Sequence, residues 1–172
     1  MYDVSYRARA TNGNACARWV IFLRDEVSKV YSGGTMSVKA GYSTPMLHVA
    51  EIERSIRFYE LLGFTTIDTD RCVPIGWARL HCEDGSAVMF LRAEHSIDSS
   101  AQAFMFYLYT PDLAGLREQL LANGVKVPAI GYPEYMPSGK INIADPDGYK
   151  IEIGHWGKSE QEAWEKRIGG KK

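Results

Sequence analysis

Histidine and glutamate side chains are the groups in this sequence that could carry metal-binding or acid–base chemistry. His155 lies three positions after Glu152, at the end of a predicted strand, so the two side chains have opposite parity and are not expected to share a metal. His48, near the end of another predicted strand, is either a hydrogen-bonded structural residue or a catalyst. His81 and His95 have no partner that the sequence identifies. The sequence contains no GxSxG nucleophile motif, P-loop or dinucleotide-binding glycine pattern.

The three cysteines, Cys16, Cys72 and Cys82, predict neither a disulfide framework nor a zinc site, because their number is odd and no two have CxxC spacing. We therefore expect ordinary thiols in a reducing compartment. The charged residues near the start of the chain precede no apolar stretch long enough for a signal peptide. These features predict a cytoplasmic protein.

The charge balance argues against a polyanionic partner. Lysine and arginine total 20 and aspartate and glutamate total 21, so the formal net charge is −1 and the pI is near 6.4. Such a chain has no global electrostatic basis for binding nucleic acid or an anionic membrane. Its longest apolar run, Trp19–Leu23, is far shorter than the roughly 20 residues that span a bilayer.

Residues 45–92 predict one strand, one helix and three further strands. Four apolar residues of the helix have helical spacing, and Gly63 is placed to end it. Asp84-Gly85 is a strong hairpin signal between the last two strands. The predicted elements are a strand at Pro45–Val49, a helix at Glu51–Leu62, and strands at Thr65–Asp70, Trp77–Cys82 and Ala87–Arg92.

The same order of elements recurs in the second half of the chain. Placing Glu51 on Asp112 aligns Gly63 with Gly124 without a gap, which gives an internal repeat of about 60 residues. Each half has too few strands to bury both of its faces, so the halves are expected to pair. The predicted elements are a strand at Phe104–Tyr109, a helix at Asp112–Asn123, and strands at Val125–Ile130, Lys140–Ala144 and Lys150–Gly154.

The two ends of the chain differ from this repeat. Residues 1–43 form an N-terminal extension of uncertain structure, in which Ala15–Tyr31 could be one helix and Met36 could be the true start. Residues 157–172 predict a C-terminal helix and tail, with Ser159 and Glu162 fitting a capping box. The paired modules occupy residues 44–156, at about 44–92 and 103–156.

Two stretches carry a recognisable signature: residues 45–64 (PMLHVAEIERSIRFYELLGF) and residues 145–153 (DPDGYKIEI). Together with the repeat, they resemble the vicinal oxygen chelate superfamily, which includes glyoxalases, extradiol dioxygenases, fosfomycin-resistance transferases and bleomycin-binding proteins. The resemblance implies an α+β fold of two βαβββ modules, whose curled mixed sheets form a cleft, usually within a homodimer. Because this fold hosts several chemistries and some pure binders, the resemblance is specific for the fold rather than for one activity.

The resemblance also implies four positions at which the metal-dependent members hold their ligands. In this chain they read Thr44, Met89, Met105 and Glu152, of which only Glu152 is an ordinary ligand for a divalent metal. We therefore expect no metal and no cofactor. The chain is most similar to the bleomycin-resistance branch, which lacks the metal site and shares the Pro-x-Leu start of the first strand.

Strand alternation then predicts which side chains line the cleft, if position 44 faces it. The result is a lining rich in Met and Tyr with one carboxylate, which suits a flat aromatic ligand, although the Met residues could equally be core filler. Trp77 and Tyr135, the latter on a loop at 131–139 that could form a flap, extend the lining. The complete predicted set is Thr44, Met46, His48, Trp77, Met89, Leu91, Met105, Tyr107, Tyr109, Tyr135 and Glu152.

Three functions are consistent with these residues. The preferred one is a metal-independent protein that sequesters a small aromatic or cationic compound, as in bleomycin (antibiotic) resistance. The alternative is a divergent metal-dependent glyoxalase-like lyase or dioxygenase that uses Glu152 with His48. The third is a domain with a vestigial cleft whose role is protein association. The expected partners are a small organic ligand and a second copy of the chain.

Overall fold

A computed structural model describes residues 43–83 and 85–169. The strands are β1 (Met46–Val49), β2 (Thr65–Thr69), β3 (Trp77–His81), β4 (Ala87–Arg92), β5 (Met105–Thr110), β6 (Lys140–Ala144) and β7 (Lys150–His155). The helices are α1 (Ile52–Glu60), α2 (Leu113–Ala122) and α3 (Lys158–Gly169). The predicted helix at 15–31 and the possible start at position 36 lie outside the described residues.

The strands form two mixed sheets of related topology. The first sheet has the order β1-β4-β3-β2, and the second has the order β5-β7-β6. In each sheet the first strand of the module pairs in parallel with the last one, whereas the other pairs are antiparallel. The predicted α+β architecture of two repeated modules is therefore confirmed.

One predicted strand, Val125–Ile130, is absent from the second sheet. Only Gly131, just after this segment, forms a bridge, with Lys140. Pro128 has no N–H to donate to a ladder, and its carbonyl oxygen accepts a hydrogen bond from Arg117 Nε at 2.8 Å. The segment instead contributes the buried side chain of Val127 to the core. The second sheet consequently has three strands where the first has four.

The helices α1 and α2 cover one face of each sheet. Alternate strand residues, such as Leu80 and Phe90 in the first sheet and Ile151 and Ile153 in the second, are buried in one apolar core. Tyr59 of α1 joins the two halves, because its ring makes edge contacts with Phe90 at 5.0 Å and with Phe106 of β5 at 6.2 Å. The opposite faces of both sheets are left free of helices α1 and α2.

The turn between β6 and β7 locks the second module onto the first. The Asp147 carboxylate accepts hydrogen bonds from the Ala50 N–H (3.2 Å), the Ser55 hydroxyl (3.3 Å) and Arg54 Nη2 (2.7 Å). Because Glu51 gives α1 no side-chain cap, this distant carboxylate adds to the negative charge that Glu53 supplies in the first turn of the helix. In the same turn, the Tyr149 hydroxyl donates to the backbone oxygen of His48 at 3.0 Å, so the turn also positions β1.

The C-terminal helix begins differently from the sequence-based expectation. The predicted capping box of Ser159 with Glu162 is wrong, because the Ser159 hydroxyl donates to Glu160 Oε2 at 2.8 Å instead of capping the helix. The same Glu160 oxygen accepts the backbone N–H of Gly157 at 2.9 Å. Glu160 therefore accepts the backbone hydrogen bond at the start of α3 that the capping-box pattern predicts for Glu162.

The two cysteines among the described residues differ, because Cys82 is a thiol and Cys72 is not. Cys72 is disulfide-bonded, so the expectation of ordinary thiols is wrong for this residue.

Within the described ranges, no helix has the length and apolar character needed to cross a membrane.

Asp145 makes stability depend on pH. Burial raises the pKa of Asp145 to about 6, although its Oδ1 accepts the backbone N–H groups of Asp147 and Tyr149. A carboxyl group whose folded pKa is raised stabilises the fold below its unfolded pKa, and this contribution is lost as the pH rises through about 6. Asp145→Asn keeps the acceptor atom and removes the titration.

We therefore expect the free energy of unfolding of the Asp145→Asn variant to rise relative to wild type by about 2 kcal/mol between pH 4.5 and pH 7.5. Urea unfolding at the two pH values measures this difference. A difference between variant and wild type that does not change with pH would contradict the assigned pKa.

Candidate functional site

The outward face of the first sheet carries six of the residues predicted to line a cleft. Met46 lies beside Met89, and Leu91 lies between His48 and Trp77 in the strand register. Met46 is exposed, whereas the hydroxyl oxygen of Thr44 is buried and has no hydrogen-bond partner among the described residues. The structure thus places Thr44, Met46, His48, Trp77, Met89 and Leu91 on or beside this sheet.

The outward face of the second sheet carries a row of exposed side chains from β5. Tyr107 lies beside Glu152 of β7, and Met105 lies beside Lys150. Tyr107 is 54% exposed, Tyr109 is 51% exposed and Met105 is 44% exposed. Alternation along β5 places all three on one face, whereas the intervening Phe106 packs against the core. This face therefore offers two aromatic rings and a thioether to solvent.

A buried ion pair lies beside this aromatic row, on the neighbouring strands β7 and β6. Lys140 Nζ donates a hydrogen bond to Glu152 Oε2 and another to the Tyr135 hydroxyl. The side chains of Lys140 and Glu152 are only 13% and 5% exposed. The hydrogen bond to Glu152, followed by that to Tyr135, raises the pKa of Lys140. The charge of Glu152, with a smaller contribution from hydrogen bonding to the same carboxylate, likewise raises the pKa of the neighbouring Tyr107.

One oxygen of Glu152 remains without a partner. Oε1 is buried, and no described residue donates a hydrogen bond to it. A buried acceptor without a donor is costly, so this atom is suited to receive a donor from a bound molecule or from water. Glu152 also lines a depression of about 460 Å³ on this face. The other lining residues are Met105, Lys126, Asn142, Ile143, Ala144, Lys150 and Ile151.

The loop at 131–139 folds over the other end of this sheet. Gly131 and Lys140 exchange two backbone hydrogen bonds of 2.9 Å, and the carbonyl of Gly139 accepts the His155 N–H at 2.9 Å. Met136 from this loop lies against Gly154, where an added Cβ would be 2.9 Å from the Met136 sulfur. Glycine at position 154 therefore leaves room for the end of the Met136 side chain against the sheet.

Tyr109 and Tyr135 mark where the loop meets the aromatic row. The Tyr109 ring contacts Trp156, with ring centroids 5.3 Å apart. The ammonium group of Lys140 lies 4.8 Å from the centroid of the Tyr135 ring. The structure thus brings Tyr107, Tyr135 and Glu152 together through Lys140, with Met105 and Tyr109 on either side.

Sequence reasoning missed four polar residues on these faces. Arg79 and His81 lie on the outward face of β3, with Arg79 Nε and His81 Nε2 buried and without hydrogen-bond partners among the described residues. Lys140 and Asn142 lie on the outward face of β6. The alternation that selected Trp77 would also have selected Arg79 and His81, because they follow it at intervals of two.

The residues present do not fit a divalent metal site of the kind the superfamily resemblance implies. Two of the four expected positions carry thioethers, and the single carboxylate already holds the ammonium of Lys140. His48 lies on the first sheet and Glu152 on the second, so the backbone register does not pair them. Among the described residues, no group of three or more His, Cys, Asp or Glu side chains could hold a metal ion.

Comparison with solved structures reveals three informative neighbours. A bleomycin-binding protein complexed with bleomycin is 24% identical, with a TM-score of 0.56, and the match covers 69% of this chain and 100% of that one. A bleomycin resistance determinant encoded on the transposon Tn5 is 23% identical, with a TM-score of 0.55 and coverages of 67% and 98%. TnmS3, an antibiotic binding protein from Streptomyces sp. CB03234, is 18% identical, with a TM-score of 0.55 and coverages of 70% and 100%. At these identities the similarity shows a shared fold.

The comparison of sequences gives the family. No curated protein matches the chain. The sequence profile of the Glyoxalase/Bleomycin resistance protein/Dioxygenase superfamily matches residues 42–153, which is more than half of the chain. That range contains strands β1 to β6, most of β7, helices α1 and α2, and the paired side chains of Lys140 and Glu152. The chain therefore belongs to the Glyoxalase/Bleomycin resistance protein/Dioxygenase superfamily.

Proposed function

We propose that this protein binds and sequesters a small aromatic molecule on the outward face of its second sheet, without a metal and without making or breaking a bond. The observation that carries the proposal is the exposed row of Met105, Tyr107 and Tyr109 beside a buried ion pair that leaves Glu152 Oε1 without a partner among the described residues. Apolar surface with a few convergent polar groups is the usual composition of a small-molecule site.

The aromatic preference follows from the side chains of β5. About half of each tyrosine side chain is open to solvent, so a flat ring can stack on them without displacing core residues. The flexible thioether of Met105 can adapt to the edge of such a ring. The unpartnered Glu152 oxygen supplies an acceptor that fixes the orientation of a ligand donor.

Metal independence is supported by the contact between Lys140 and Glu152. A metal ion at Glu152 would have to displace an ammonium group that is hydrogen-bonded to the carboxylate in a buried setting. The ammonium already supplies the positive charge that this carboxylate needs. The same contact disfavours the alternative in which Glu152 and His48 hold a catalytic metal.

Three of the structural neighbours support a binding role. One of them is described as complexed with bleomycin, another as a bleomycin resistance determinant and a third as antibiotic binding. Each shares the fold over at least two thirds of this chain. A role in drug sequestration is therefore part of the proposal.

The proposal includes a homodimer and a cytoplasmic location. Apolar side chains such as Met46 and Phe104 are exposed in the single chain, and a second copy would cover part of this surface. Analytical ultracentrifugation tests the dimer, with a monomer at micromolar concentration as the contrary result. Cell fractionation tests the location.

Binding is tested by titrating the protein with metal-free bleomycin and with uncharged planar aromatic compounds. Tryptophan fluorescence reports on the site, because Trp156 contacts Tyr109. Saturable binding that is the same in EDTA and in added Mn, Zn or Ni supports the proposal. Binding that requires a divalent metal would refute metal independence. It would favour the alternative of a metal-dependent lyase or dioxygenase.

Tyr107→Ala is expected to weaken the binding of an aromatic ligand about fivefold, because one stacking surface is lost. Tyr107→Phe keeps the ring and should change the affinity much less. The control is Leu121→Ala, because Leu121 is 42% exposed on α2, which covers the opposite face of the sheet. Equal losses in Tyr107→Ala and Leu121→Ala would show that the ligand does not lie on this face.

A further inference from the structure

The depression beside Tyr107 is lined by more positive than negative side chains. Lys126 and Lys150 line it together with Glu152, and Lys140 reaches it through its contact with Glu152. Glu152 is the only carboxylate among the lining residues. The charged side chains around this depression therefore carry two positive charges in excess.

The charge of Glu152 is already compensated. Lys140 Nζ is hydrogen-bonded to one carboxylate oxygen, and both side chains are largely buried. A cationic ligand at the remaining oxygen would meet the ammonium of Lys140 at close range as well as the carboxylate. The attraction of the cation to the carboxylate and its repulsion from the Lys140 ammonium nearly cancel. The ion pair therefore gives a cationic ligand little net attraction.

Lys126 and Lys150 are not compensated in the same way. Both residues are exposed, and neither forms an ion pair with any described residue. Lys150 lies beside Met105 in the strand register, at the end of the aromatic row. The nearby carboxylate of Asp145 is buried and directed at the Tyr59 hydroxyl and at backbone N–H groups, so it does not offset these charges.

We infer that the ligand of this site is an aromatic compound bearing an acidic group, with its ring on Tyr107 and Met105 and its anionic group at Lys126 and Lys150. This inference rests on the proposed binding function and narrows its ligand class. Of the aromatic and cationic classes predicted from the sequence, it selects the first and disfavours the second. The aromatic ring of the ligand makes the apolar contact. The ammonium groups of Lys126 and Lys150 favour an anionic ligand over a neutral or cationic one.

Three naphthalene derivatives of the same size test the inference: 2-naphthoate, 2-naphthamide and 2-naphthylmethylammonium. Their affinities for the full chain are measured by calorimetry or by chemical-shift titration at roughly 20 mM and 300 mM salt. At low salt, naphthoate should bind roughly three- to tenfold more tightly than the amide, and the ammonium compound should bind more weakly than the amide. High salt should reduce these ratios, because the two lysines are exposed.

Charge reversal identifies the groups responsible. The double variant Lys126→Glu/Lys150→Glu should reverse the order of the three affinities. The control Lys158→Glu changes the net charge on α3, away from the depression, and should preserve the order. A double variant with an unchanged order would overturn the inference.

The remaining outcomes separate the inference from the function on which it rests. If all three compounds bind but the ammonium compound binds as tightly as naphthoate, the inference is overturned and aromatic binding stands. If none of the three binds at millimolar concentration, aromatic binding fails and the inference falls with it.

Discussion

Asp147→Ala is expected to lower the free energy of unfolding by about 3 kcal/mol, one of the two largest effects that we predict. The substitution removes a buried carboxylate that accepts hydrogen bonds from Ala50, Arg54 and Ser55. It also removes the carboxylate that accepts the Ala50 N–H just before α1, where Glu51 makes no side-chain capping hydrogen bond. Asp147→Asn keeps the acceptor oxygen but not the charge, and should lose about half as much.

Urea unfolding followed by circular dichroism measures these losses. Glu118→Ala is the control, because it removes an exposed carboxylate from α2 and should unfold like the wild type. An Arg54→Ala variant should lose less than Asp147→Ala, because the Arg54 side chain is 41% exposed and that of Asp147 is 3% exposed. If Asp147→Ala were as stable as Glu118→Ala, the turn would not be what joins the modules.

Lys140→Met is expected to lower the melting temperature by about 10 °C at neutral pH. The substitution leaves the Glu152 carboxylate, which is 5% exposed, without its counter-ion. The cost arises from an uncompensated buried charge rather than from the loss of a favourable pair. Adding Glu152→Gln to Lys140→Met removes the uncompensated charge. The double variant should therefore be more stable than Lys140→Met alone and recover much of the lost stability.

Differential scanning calorimetry of the two single variants and the double variant measures this coupling. Lys150→Met serves as the control, because Lys150 is an exposed lysine on the neighbouring strand β7. Its melting temperature should match that of the wild type. A double variant that is less stable than Lys140→Met would contradict the explanation by an uncompensated charge.

The sequence was informative wherever the signal is local. Alternation along β5 predicts that Met105, Tyr107 and Tyr109 share a face, because the side-chain period of a strand is two and no tertiary information is needed. The helix-ending glycine at position 63 was predictable for the same reason, and the structure gives it a φ of 88°. The repeat itself followed from aligning the chain with itself.

The contacts that matter most for the site were not local. The pairing of Lys140 with Glu152 depends on the register between β6 and β7, which sequence spacing does not fix. Val125–Ile130 has the composition of a strand, yet the carbonyl of Pro128 is taken by Arg117 and no ladder forms. In both cases the outcome depends on contacts with another element of the fold, which the pattern within one segment does not specify.

The docking of Asp147 on α1 has a consequence for the order of events during synthesis. The residues joined by this carboxylate are up to 97 positions apart, and the ribosome makes the first module well before Asp147. Until then, the start of α1 lacks the Asp147 carboxylate, and β1 lacks the Tyr149 hydroxyl at the backbone of His48. The first module therefore gains these contacts only after the turn of the second has been made. The two halves repeat one another in pattern, but the nascent chain finishes them as a single cooperative unit.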